Sequence, residues 1–377
     1  MLPPLRYWAI ALIGCASILP VLVAPIITGV LVDFGGFSNR QAGLTAGYGG
    51  FGSVSVALLC ALFMHRLPLR RLAVVGLIVA ALTNLAAAEV YREINLFYLV
   101  RAISAFADGA CYAAVMSSFA RASRPERGYG LFMTLQFGLS GIALWALPTF
   151  YSELNVEELY RGFAVLNLLA LVLVSNLPAT AAEAEGVSLR GNEWRLILTV
   201  SAIAGLVALC AFEASNTASS AYLERIAVYA GLSDAEIGLV FGLGSLTGVV
   251  GAISILWLGQ RLGALTPILM GIVVGAVSLY GLMHAETFQP FLIWTCIHSF
   301  TWAFTLPYIQ TMLAQLDPGG AVVTAGGLAS GAGGALGPSA AALMLSGETF
   351  TAVLTVGLMA YLIAAVAATV AGFKRTA

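Results

Sequence analysis

The chain reads as an all-α integral membrane protein of twelve transmembrane helices in two pseudo-symmetric six-helix bundles. Composition, the count of apolar spans and an internal repeat carry that reading. Of 377 residues, 60% are hydrophobic and 9% charged, where a soluble domain averages about 25% charged. Apolar runs of about 20 residues, long enough to cross a bilayer, fall near 6–32, 42–63, 70–88, 94–118, 129–150, 160–177, 196–221, 236–258, 265–284, 289–314, 321–345 and 350–372.

Met1 to Pro20 imitates a cleaved signal, and Leu12-Ile13-Gly14-Cys15 a lipoprotein cleavage box. The run continues to about Val32, too long for a signal h-region, so it is the first span. The short polar breaks between spans fix the orientation. With the N-terminus inside, the inner segments hold Arg6, Arg66, Arg70, Arg71, Arg121, Arg124, Arg127, Arg190, Arg195, Arg261, Lys374 and Arg375. The outer ones hold Arg40, Arg92, Arg161 and Arg225. That positive-inside bias, with an even span count, predicts a multi-pass protein of the cytoplasmic membrane with both termini cytoplasmic.

The repeat is direct. Gly36-Phe37-Ser38-Asn39-Arg40-Gln41-Ala42-Gly43-Leu44 returns 195 residues later as Gly231-Leu232-Ser233-Asp234-Ala235-Glu236-Ile237-Gly238-Leu239. In the same register Gly47, Gly49 and Gly76 meet Gly242, Gly244 and Gly271, and Arg66-Leu67 meets Arg261-Leu262. The expected organisation is an N-terminal bundle over 1–177, a cytoplasmic linker over 178–193 and a C-terminal bundle over 194–377.

The fourth span holds the main anomaly, Arg101 and Asp108 in an apolar run. Seven residues are about two turns, so they share a face roughly 10 Å apart, and Tyr112 returns to it. A charge near mid-bilayer costs at least ~2.5 kcal/mol, so these side chains need a polar cavity or each other. Arg101, Asp108, Glu213 and His298 form the expected intramembrane titratable set. The seventh span adds Asn216, Thr217, Ser220 and Glu224 at helical spacing, and the tenth adds Trp294, Thr301 and Trp302.

Two parallel six-helix halves with a polar loop after the second helix resemble the major facilitator superfamily. The family's loop motif between helices 2 and 3 corresponds here to His65-Arg66-Leu67-Pro68-Leu69-Arg70-Arg71, with His65 where the family has aspartate. Its second copy is Gln260-Arg261-Leu262-Gly263. Arg101 matches the helix-4 arginine motif, with Ser104 and Ala105 in place of its Gln-Gly. The helix-5 antiporter signature has no counterpart, since Gly138-Leu139-Ser140-Gly141 lacks proline; Gly337-Pro338 stands in the eleventh span instead. The resemblance implies that helices 1, 4, 7 and 10 line a central cavity, which is where the four titratable residues lie.

The expected function is therefore secondary active transport of a small organic solute by alternating access, with proton coupling. The proton-coupling candidates are Asp108, Glu213 and His298, because a low-dielectric site penalises a charged form. The substrate-contact candidates are Arg101, Tyr112, Asn216, Thr217, Ser220, Trp294, His298, Thr301 and Trp302. Arg101 and Glu213 are expected to approach one another in an outward-closed state. The gating-loop candidates are His65, Arg66, Arg70 and Arg261. Efflux of amphipathic compounds is the alternative, and a non-transporting receptor or scaffold on the same fold a second.

An enzyme is not expected, for want of a nucleophile–base or metal constellation. The five cysteines sit inside apolar runs with no CxxC spacing, predicting neither disulfide nor metal site. Lys374 is the only lysine, so no phosphate-binding Gly-Lys-Ser/Thr loop exists. The dinucleotide-like string Gly47-Tyr48-Gly49-Gly50-Phe51-Gly52 has no flanking strand and reads as close helix packing. No cofactor is expected. The partners are the solute, protons and lipid, with no nucleic acid, and the chain is expected to be a monomer.

Overall fold

The computed structural model describes residues 5–63, 68–120, 125–148, 155–178, 197–259, 261–316, 321–345 and 350–373. Among these the regular structure is helical: α1 Leu5–Leu22, α2 Ala24–Asp33, α3 Asn39–Phe63, α4 Leu69–Val90, α5 Ile94–Ala120, α6 Pro125–Ala146 and α7 Val156–Leu173, extended by a 3-10 turn Val174–Asn176. There follow α8 Val200–Tyr229, α9 Asp234–Leu258, α10 Leu265–Leu282, α11 Phe288–Leu316, α12 Ala321–Met344 and α13 Thr351–Phe373. Among the described residues, nine helices are long and apolar enough to cross a membrane by themselves: α1, α3, α4, α5, α7, α8, α9, α10 and α13. With α2 continuing α1, and with α6, α11 and α12, the twelve-span layout of a multi-pass membrane protein is complete.

Three helix limits differ from the sequence reading. The first span breaks in two at Val23, whose backbone leaves the helical region (φ −99°, ψ 19°) between Pro20 inside α1 and Pro25 in the first turn of α2. Two prolines five residues apart remove two helical N–H donors, which makes a break there inexpensive. The sixth span starts at Val156, earlier than its apolar run, because the Asn155 side chain accepts from Glu158 N at 2.8 Å and caps a charged first turn. The seventh runs on to Tyr229, carrying Glu224 and Arg225 inside the helix, where both are buried. Arg225 is therefore not a loop charge. It pairs with Glu224 through two contacts of 2.5 Å, so the titratable set within the helices is larger than the four residues expected.

The chain forms two compact units, Met1–Ala143 with Phe150–Ser188, and Leu144–Thr149 with Leu189–Ala377. The expected linker lies outside the described residues beyond Pro178. In the first unit α5 packs on α1, α3 and α4, while α7 packs on α1 and α4. In the second, α11 packs on α8, α9 and α10, while α13 packs on α8 and α10. Among these helices the pairing pattern is the same in both units.

The repeat also holds at the level of single hydrogen bonds. Gly36 and Gly231 both take positive φ, +71° and +81°, a conformation that strains any residue with a Cβ. Each is followed by a serine that caps the next helix. Ser38 N donates to Gln41 Oε1 at 2.9 Å while Gln41 N donates back to Ser38 Oγ at 3.2 Å. Ser233 and Glu236 form the corresponding capping box.

The first unit's core joins Ile10 and Ile13 of α1 to Leu77 of α4, Val115 and Phe119 of α5, and Phe132 of α6. Large apolar side chains also point outward, among them Leu82, Leu169, Val172, Leu246 and Leu362. An apolar surface that extensive would be a liability in water and is an ordinary face in lipid.

Candidate functional site: buried polar groups within each unit

In the first unit the face of α5 bearing Arg101, Ser104 and Asp108 turns into its own bundle. Arg101 is 7% exposed. It donates to Asn84 Oδ1 of α4 at 2.9 Å and to Ser104 Oγ at 3.2 Å, with its guanidinium 4.9 Å from the centre of the Tyr160 ring of α7. These contacts satisfy a buried cation with a neutral amide, a hydroxyl and a π face.

Because a guanidinium only donates, Asn84 must present its oxygen to it. The Asn84 amide nitrogen is then turned away, and among the described residues it has no hydrogen-bond partner. Asp108 has Arg101 as its neighbouring charge, and Asn167 of α7 and Ser104 as neighbouring hydrogen-bonding side chains. Among the described residues its buried Oδ1 lacks a partner within bonding distance, as do Asn167 Nδ2 and Tyr160 Oη. Tyr112, one turn further, is half-buried with its ring 5.8 Å from Phe132.

The second unit divides its candidates between two environments. Asn216 and His298 face inward. Tyr361 Oη of α13 donates to Asn216 Oδ1 at 3.0 Å, and Asn216 Nδ2 donates to Phe212 O at 2.8 Å. His298 of α11 lies between Ser219 Oγ of α8, 3.1 Å from Nε2, and Ser278 Oγ of α10, 3.4 Å from Nδ1. Thr301 is buried and donates to His298 O at 2.9 Å.

Glu213, Thr217, Ser220, Trp294 and Trp302 are placed differently. Glu213 is 6% exposed, and Ser330 Oγ of α12 donates to its Oε1 at 3.2 Å. Trp302 is the other hydrogen-bonding neighbour of that carboxyl. The Thr217 hydroxyl donates to Glu213 O at 2.7 Å. Thr217, Ser220 and Trp302 are half-buried. Trp294, also half-buried, packs against Gly281 of α10. Gly333 and Gly337 let α12 approach α8 at the carbonyls of Cys210 and Ala214, which brings Ser330 within reach of Glu213.

Of the gating-loop candidates, His65 and Arg66 lie outside the described residues. Arg70 ties the start of α4 to the end of the sixth span, donating to Leu177 O at 2.8 Å and Ser175 O at 3.0 Å. Arg261 is exposed in the turn after α9.

The family model described as Major Facilitator Superfamily matches residues 9–342. The chain belongs to that superfamily. A chain of this superfamily is a membrane transporter rather than an enzyme, and its partner is a small-molecule solute. No curated relative matches the sequence. Among solved structures, the nucleoside transporter NupG superposes with a TM-score of 0.78 over 100% of both chains at 13% identity. A point mutant of NupG gives 0.75 over 97% of this chain and 98% of that one at 12% identity. Likeness at that identity establishes the superfamily fold. The sequence reading missed Asn84, Tyr160, Asn167 and Ser330, which carry no charge and become informative once helix packing sets them beside Arg101, Asp108 and Glu213.

Proposed function

We propose that the chain is a proton-coupled secondary transporter that moves a small organic solute across the cytoplasmic membrane by alternating access, with Asp108 as the coupling carboxylate. One observation carries the coupling assignment. Asp108 Oδ1 is fully buried with no hydrogen bond among the described residues, and an ionised carboxylate oxygen so placed is left without the solvation it had in water. A proton removes that cost and turns the group into a donor, so Asp108 has two states of different stability within one bundle.

The substrate face is assigned to the half-buried side chains Thr217, Ser220 and Trp302, because Arg101, Glu213, Asn216 and His298 are fully buried and already hold partners within their bundles. Arg101 is better suited to bracing α4, α5 and α7 than to meeting the solute. NupG, similar in fold, is a nucleoside transporter, and a nucleoside falls within the small organic solutes proposed here. The domain limits 1–177 and 194–377, cytoplasmic termini and a monomeric chain complete the reading.

The test is reconstitution into liposomes with an imposed pH gradient and labelled organic acids, sugars, nucleosides and amphipathic cations. One of these solutes should accumulate above its equilibrium level and leak back when a protonophore collapses the gradient. Equilibration of every solute regardless of the gradient would refute proton coupling.

A further inference from the structure

We infer that the end of the first unit built on Arg6, Arg70 and Arg71 is a headgroup site for an anionic phospholipid whose acyl chains lie along the outward face of α4. The site concerns how the protein sits in lipid and is independent of the transport reading. Arg6 of α1 donates through Nε to Asn176 O at 2.7 Å, and Arg70 of α4 donates to Ser175 O at 3.0 Å and to Leu177 O at 2.8 Å. Two guanidiniums from different helices therefore stand on three successive carbonyls of one turn. Carbonyls at a helix C-terminus hold them with partial charge only, and among the described residues no carboxylate pairs with either cation.

Arg71 adds a third charge. It is exposed, and among the described residues it makes no hydrogen bond or ion pair. A guanidinium fork matches the two anionic oxygens of a phosphate diester, and a phosphate at this end of the helices offsets repulsion that the described chain leaves uncompensated. That chemistry alone would suit a free phosphate as well, and the surface leading away from Arg71 decides for lipid. Arg71, Val75, Ile78, Leu82 and Leu85 are all exposed and recur at the spacing of one helix face. The arginine heads an apolar stripe. Leu82 lies about 16 Å along the axis from Arg71 at ~1.5 Å per residue, the depth of one leaflet's hydrocarbon, about 15 Å.

Trp8, exposed and two residues from Arg6, stands where tryptophan is enriched, at the level of the headgroups. A zwitterionic headgroup fits less well, because its ammonium would join three cations.

The experiment is a titration of the purified full-length protein, in a neutral detergent, with phosphatidylglycerol and with phosphatidylcholine of the same chains, bound lipid being counted by native mass spectrometry. Phosphatidylglycerol should bind about tenfold more tightly or better. Arg71→Gln removes a charge that ties nothing down among the described residues and should lower that preference by about fivefold. Arg40→Gln makes the same change of charge at the opposite end of the bundle, where α3 begins, and should leave the preference unchanged. Glycerol phosphate, the headgroup chemistry without chains, should not displace the bound lipid at large molar excess.

Binding of the two lipids within twofold of one another, or an equal loss of preference in Arg71→Gln and Arg40→Gln, overturns the inference. Displacement by glycerol phosphate would assign the cations to free phosphates and overturn it as well. The wild-type comparison of the two lipids stands even if a variant does not fold.

Discussion

At the residue scale, the buried polar groups sort by what already holds them. Arg101 has an amide oxygen, a hydroxyl and an aromatic face, so removing one of these leaves a buried cation short of a partner. Asn84→Leu takes away the 2.9 Å acceptor and should destabilise the protein by about 2–3 kcal/mol. Thermal unfolding in detergent would read this as a clear fall in midpoint, and an unchanged midpoint would mean that Arg101 finds another acceptor. Tyr361→Phe loses a neutral hydrogen bond to Asn216 and should cost about 1 kcal/mol in the same assay. Arg101, Asp108 and Glu213 were legible in the sequence because charge in an apolar run is conspicuous. Asn84, Tyr160 and Asn167 were not, because a neutral polar residue in a helix announces nothing until packing gives it a neighbour.

At the scale of elements, the capping boxes and positive-φ glycines show why the repeat survives at two similar sequence strings and fades between them. Turn chemistry needs particular residues at particular positions, whereas a lipid-facing helix surface tolerates any apolar side chain. Gly36 has no atom within 4 Å of a built Cβ, so an alanine there meets backbone strain and no clash. Gly138, inside α6, is equally open but without positive φ. Gly36→Ala should therefore cost about 1 kcal/mol, and Gly138→Ala should be neutral or stabilising by about 0.4–1 kcal/mol. Equal thermal shifts for the pair would contradict this account of the turn. Helix existence was readable from apolar length. The break at Val23 and the extension of α8 through Glu224 and Arg225 were not: the first depends on how two prolines share one helix, the second on a neighbouring-residue ion pair that lets two charges stay buried.

At the scale of the whole molecule, five helices of each unit pair in the same pattern and the superfamily match runs from residue 9 to residue 342; the alternating access proposed above is tested at this scale. The charge bias of the loops predicts orientation: a cysteine at Arg92 should react with an impermeant maleimide added outside intact cells, and one at Arg261 only after permeabilisation. Reversed labelling would invert the topology. The sharpest measurement is accumulation against exchange for Asp108→Asn in proteoliposomes. The variant should lose pH-gradient-driven accumulation while still exchanging labelled for unlabelled solute, because the substrate face is kept and the titrating group is gone. Accumulation equal to the wild type would contradict Asp108 as the coupling carboxylate.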